Sequence, residues 1–89
     1  MPQLNREQLE YAKRKAGRHG VRVAYSTRKY KKLDVFDKEG DKIASIGDVR
    51  YSDYLQHGDA ERRRRYKMRH EKNRHVKGSP GFYADKILW

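Results

Sequence analysis

The stretch from Asp59 to Lys77, DAERRRRYKMRHEKNRHVK, constrains what this chain can fold into more than any other. From Glu61 to Lys77 it holds nine Lys/Arg, two Glu and two His. Asp59 is placed to cap a helix, and Ala60 and Glu61 follow in a first turn where acidic charge suits the dipole. The pattern predicts a helix over 59–73. Its apolar content is Ala60, Tyr66 and Met68, which form no continuous stripe, so it cannot be a core helix. It belongs on the surface, with Tyr66 and Met68 anchoring two of its edges. The core must come from elsewhere.

A run this basic repels itself, and a chain that keeps it implies an anionic partner. The whole chain agrees: net charge is +11 and the pI is near 10.1. Nucleic acid, an anionic membrane surface or an acidic protein are the partner classes left by that balance. No apolar run approaches the roughly 20 residues of a membrane span, and no hydrophobic signal region opens the chain. There are no cysteines, hence no disulfides and no thiolate ligands, as an intracellular life would allow.

Eighty-nine residues suit one small domain. Apolar residues are 35% and charged residues 39%, a thin supply for a core. Seven tyrosines help, because a Tyr ring is buried while its hydroxyl stays wet. Charge is uneven along the chain. Residues 1–32 carry net +8, residues 33–60 net −4 and residues 61–89 net +7. An acidic middle lies between two basic ends, which can neutralise one another only in part.

The expected architecture is α+β. Asn5 caps a helix from Arg6 to Arg18, with Gln8 completing a capping box and Leu4 and Leu9 in staple spacing. This basic N-terminal helix is set apart as 1–20, and residues 21–89 as the α+β domain. Val21, Val23 and Tyr25 alternate as a first strand. A second runs from Tyr30 to Asp37 and a third from Lys42 to Ile46, joined by a turn with Gly40 at positive φ. These make a small three-stranded antiparallel sheet with a hairpin. Ser52 caps a short turn over Asp53 to His57, and the basic helix follows. Ser79 caps a last short helix with Pro80 at its first position, inside an aromatic tail at 79–89. Phe82, Tyr83, Ile87, Leu88 and Trp89 make that tail the most apolar part of the chain. It completes the core or plugs into a neighbouring molecule.

No catalytic set is found, and no cofactor or small-molecule substrate is expected. The chain has no phosphate-cradling glycine loop and no nucleophile elbow. His57, His70 and His75 could be imagined with Asp53 or Asp59 around a metal. His70 and His75, however, are five apart, off the helical ligand spacing. Asp34, Asp37, Asp41 and Asp48 fall in or beside a turn, where Asp serves the backbone. Anion binding is the chemistry that remains. Its expected residues are Arg62, Arg63, Arg64, Arg65, Lys67, Arg69, Lys72, Arg74 and Lys77, with Tyr66, Phe82, Tyr83 and Trp89 as docking anchors. Arginine meets phosphate or carboxylate through a rigid fork. Charge spread around a helix suits backbone contacts better than base reading.

One resemblance narrows the setting. Tyr51-Ser52-Asp53-Tyr54, His57, Arg63-Arg64-Arg65-Tyr66, Arg69-His70, Gly81-Phe82-Tyr83 and Leu88-Trp89 occur here in that order. With the preceding hairpin they resemble a family of small basic proteins encoded by large nucleocytoplasmic DNA viruses, the giant viruses. The likeness covers about residues 30–89. That family has no established enzymatic activity, so no site residues are carried over from it. It implies a virion setting, with host cytoplasm or nucleus during assembly. A structural virion protein, a minor capsid or core component that bridges anionic surfaces such as acidic shell proteins, is the first expectation. A nonspecific DNA-binding or condensing protein is the second. A host-directed regulator using Arg62 to Lys67 as a nuclear localisation signal is the third.

Overall fold

The computed structural model describes residues 3–89. Helix α1 spans Arg6–Gly17. Strands β1 (Arg22–Tyr25), β2 (Leu33–Phe36) and β3 (Lys42–Ile46) follow. Then come a single helical turn α2 (Tyr54–His57), the basic helix α3 (Ala60–Arg69) and the last helix α4 (Pro80–Ile87). The fold is α+β.

Helix α1 starts as its sequence dictates. Asn5 accepts from the Gln8 amide at 2.8 Å and the Gln8 side chain returns to the Asn5 amide at 2.8 Å. Leu4 and Leu9, flanking the cap, are both buried. The helix ends where Gly20 takes φ +71 and the Val21 amide turns back to the Ala16 carbonyl at 3.2 Å.

The sheet is antiparallel in the order β1-β2-β3. Its register aligns Val23 with Val35 and Val35 with Ala44, and aligns Leu33 with Ile46. Because side chains alternate, these apolar residues share one face. Both α1 and α4 pack against the sheet and against each other, which makes two layers. Leu9, Ala12 and Ala16 of α1 meet the strand residues, Tyr83, Ile87 and Leu88 in one core. Helix α1 closes the same core as the sheet, so the described residues of the N-terminal segment pack with the domain that follows. The Cα radius of gyration is 12.0 Å, the value of about 12 Å expected when a chain of this length packs as one body.

The second face of the sheet is small and polar. Asp34 is buried there and accepts from Ser26 Oγ at 2.6 Å and Ser45 Oγ at 2.7 Å. Pairing slips by one residue after Val35, so Ile43 has no partner in β2 and stays exposed.

Three boundaries and one anchor differ from expectation. Strand β2 begins at Leu33, not Tyr30, because Tyr30 sits at φ +69 in a turn closed by the Lys31 amide on the Arg28 carbonyl. The cap of α2 is Asp53 rather than Ser52: Asp53 is the extended residue, held in place by buried Lys32. Helix α3 stops at Arg69, short of 73. His70 leaves helical geometry, and its carbonyl takes the amides of both Asn73 and Arg74, which folds the chain back. Met68 anchors nothing; it is 65% exposed. Helix α4, capped by Ser79 with Pro80 first, is as read from the sequence.

Candidate anion-binding surface

Helix α3 has no buried residue, so contacts at its edges decide how it lies. A 100° step per residue sorts its basic side chains into three faces. Arg62, Arg65 and Arg69, at i, i+3 and i+7, share one face and line a cleft of about 500 Å³. Arg63 and Lys67 share a second face, turned toward the chain. The third carries Glu61, Arg64 and Met68. There the Glu61 carboxylate takes two donors from Arg64, at 2.6 and 3.2 Å.

The second face is spent inside the molecule. Lys67 Nζ lies 2.7 Å from the Asp85 carboxylate, whose side chain is wholly buried. Arg74 Nη1 approaches the other Asp85 oxygen at 3.6 Å and also pairs with Glu71 at 2.8 Å. Arg63 Nε donates to the Trp89 backbone oxygen at 2.7 Å, and its guanidinium lies 5.0 Å over the Tyr54 ring. Burial pushes the Asp85 carboxyl up, but the Lys67 hydrogen bond and the Lys67 and Lys86 charges hold it below its ordinary value.

Arg62, Arg65 and Arg69 remain exposed. Arg65 reaches Glu61 only at 3.4 Å. Among the described residues, Arg62 and Arg69 have no carboxylate partner, nor do Lys72 and Lys77 farther along. Lys31 lines the same cleft from the loop before β2. Its carboxylates are Asp48 and Asp53, both occupied: Asp48 by Arg50 at 2.7 Å and Asp53 by Lys32 at 2.8 Å. The Arg50 hydrogen bonds pull Asp48 down to about 2.

A second concentration of charge gathers around Lys15 of α1. Burial lowers the pKa of Lys15, and the nearby charges of Arg63, Lys67 and Arg18 lower it further.

The floor is a ladder of rings. Trp89 stacks on Tyr66 at 4.1 Å with 4° between planes. His70 packs on Tyr66 at 4.3 Å and His57 on Trp89 at 5.3 Å. The order is His57, Trp89, Tyr66, His70. Burial pushes the Tyr66 phenol up to about 12 and keeps it neutral. Phe82 meets His19 and Tyr83 edge-on, and Tyr83 is buried. All four anchor residues therefore pack within this chain, and the tail completes the core.

The residues expected to bind together are thus divided. The structure brings Arg62, Arg65 and Arg69 to one cleft. Lys67 and Arg74 go to Asp85, Arg63 to the chain end and Arg64 to Glu61. The sequence reading missed Lys31, Tyr51 and His70, which also line the cleft. It also missed Asp85, whose signal was a lone acid inside the apolar run FYADKILW. Among the described residues no group of three or more His, Asp or Glu could hold a metal ion, and no helix is long and apolar enough to cross a membrane.

Residues 21–70, more than half of the chain, match the model of a family of unknown function, DUF5754. The chain belongs to that family. No curated protein and no solved structure matches it. The DUF5754 match runs from the start of β1 to the end of α3. It contains Lys31, Tyr51, Arg62, Arg65, Tyr66, Arg69 and His70, while Asp85 and Trp89, which dock α3, lie beyond it.

Proposed function

We propose that this protein is a non-enzymatic binding domain that holds nucleic-acid backbone on the cleft face of α3. The observation that carries this reading is the sorting of arginines by face. Arg62, Arg65 and Arg69 line one cleft together with Lys31, and the carboxylates there are already paired. Guanidinium forks on one helical stripe fit a row of phosphates. The resemblance to giant-virus proteins supplies the setting, a virion component in contact with the genome.

The other expectation, a minor capsid component on acidic shell surfaces, leaned on an aromatic tail free to lock a neighbour. Phe82, Tyr83 and Trp89 are engaged in this chain's own core and ring ladder, so the capsid reading loses that support.

Binding of the full chain to a fluorescent 20-nucleotide DNA, followed by anisotropy across a salt series, tests the reading. Affinity should fall steeply with salt. Replacing Arg62, Arg65 and Arg69 together by Ala should flatten the log–log slope by about two to three units. Replacing Arg64 by Ala should leave it nearly unchanged. Binding indifferent to salt and to the triple substitution would overturn the proposal. So would equal binding to polyglutamate at the same ionic strength, which would assign the surface to an acidic protein.

A further inference from the structure

The cleft beside α3 does not end at the arginines. A second cleft of about 450 Å³ adjoins it, and the two share Lys31, Gly47, Tyr66, His70 and Ala84. Together they form one groove, basic at the α3 end and lined at the far end by neutral groups such as Asn73, Val76 and Ser79. A groove longer than one ligand-sized pocket suits a polymer better than a small molecule.

Its aromatic groups are placed unlike core residues. Tyr51 lines the first cleft and is 67% exposed; its amide donates to the Asp48 carbonyl at 3.0 Å, while its phenol ring makes no hydrogen bond or ring contact among the described residues. Tyr30 precedes the cleft residue Lys31. Its backbone is in the left-handed region at φ +69, rare for a bulky residue. Arg50 and Lys29 lie over its ring at 4.7 and 5.0 Å, and the Val49 amide holds its carbonyl at 2.8 Å. Strain of this kind persists only where the surroundings hold it, and it gathers at functional sites. His70 ends the ring ladder at the waist shared by both clefts, and it is only half-buried.

Cations along the wall of a groove, with exposed rings beside them, are what unpaired nucleotides use: phosphates track the charge and bases stack on the rings. A duplex would lie across the outer face of α3 instead, where Glu61 presents a carboxylate and Arg64 is occupied by it. We infer that the groove takes a single strand of nucleic acid, with bases against Tyr51 and His70 and phosphates on Arg62, Arg65, Arg69 and Lys31. This rests on the nucleic-acid reading above and specifies the form of the ligand.

Anisotropy of the full chain with labelled dT20, rU20 and a 20-base-pair duplex, at one fixed salt concentration, tests it. At least one of the two single strands should bind at least tenfold tighter than the duplex, and either one doing so supports the inference. Tyr51→Ala should weaken single-strand binding roughly fivefold or more, the low end of base–aromatic stacking. It should leave duplex binding unchanged. Tyr51→Phe, which keeps the ring, should bind like the parent. Tyr51 is exposed, so neither variant disturbs the core. Equal affinity for single strand and duplex, or no loss in Tyr51→Ala, overturns this inference and leaves the broader reading standing. Failure to bind any of the three overturns both.

Discussion

The buried Asp85 carboxylate accepts from Lys67 Nζ at 2.7 Å, and this contact turns the basic helix so that one arginine face is left outward. It acts together with the Arg63 bond to the Trp89 oxygen and the Tyr66–Trp89 stack, which hold the same side of α3 toward the domain. Asp85→Asn tests the point. Its partners Lys67, Arg74 and Lys86 keep side-chain exposures of 24%, 19% and 32%, so they regain water when the carboxylate is neutralised. The cost in urea unfolding should be about 1–3 kcal/mol, less than the loss from a fully enclosed pair. Affinity for a polyanion should rise in the same variant, because Lys67 is released while Arg74 keeps its pair with Glu71.

Lys32 and Asp53 are a more enclosed pair, with side-chain exposures of 1% and 4% and a separation of 2.8 Å. Lys32→Met strands the Asp53 carboxylate and should cost about 3–5 kcal/mol. Lys32→Met combined with Asp53→Leu should cost less than the single change, since no buried charge is left alone. Additive losses in the double-mutant cycle would show that the two groups do not act as a pair.

Gly47 lies beneath this pair at φ +78. A Cβ there would come within 2.9 Å of Leu88 Cδ1 and 3.0 Å of Lys32 Cβ. Gly47→Ala should destabilise by more than about 2 kcal/mol, combining left-handed strain with a clash in packed surroundings. Gly40, at φ +88 over open space, has the strain alone. Gly40→Ala should lose only about 1–2 kcal/mol. Denaturant midpoints of the two variants give the comparison directly.

Stability should depend on pH in two windows. Asp34 and Asp85 both have lowered pKa values despite burial, Asp34 through hydrogen bonds from Ser26 and Ser45. A carboxylate depressed in the folded state contributes fully above its unfolded value, 3.8 here, and the contribution is lost as pH falls through the folded value. The acid limb should therefore begin below about pH 4. His57 supplies the other window. Its Nδ1 accepts from the Asp59 amide at 2.9 Å, which leaves the proton on Nε2, a buried atom with no partner. Burial, then the Arg62 charge, lowers its pKa from 6.5. The folded state thus favours neutral imidazole, and stability should decline as pH drops from 6.5. Urea midpoints from pH 3 to 8 should show both limbs, and His57→Phe should remove only the upper one.

Most of the fold was legible where chemistry is local. Asn5 with Gln8, Asp59 and Ser79 mark helix starts by their own hydrogen bonds, and Val23, Leu33 and Val35 mark strands by alternation. Ends were less legible. The stop of α3 at Arg69 depends on where Arg74 finds Glu71 and Asp85, and the start of β2 depends on a strained Tyr30. The anion surface was half legible. Its residue types showed in the run of arginines, but charge counting gives every arginine equal weight. Only Asp85, 18 residues beyond Lys67, and the Trp89 oxygen, 26 beyond Arg63, sort them into faces.

Helix α3 hides none of its residues and is fastened mainly through one ring, one ammonium and one guanidinium. Its amides should therefore exchange with solvent hydrogen through openings that leave β2 closed, a cooperative unit of its own within the domain. Such a unit couples folding to recognition. Any strand seated in the groove must also hold α3 down, so its measured affinity includes the helix's own opening equilibrium. Slower exchange across 60–69 on binding would register that coupling.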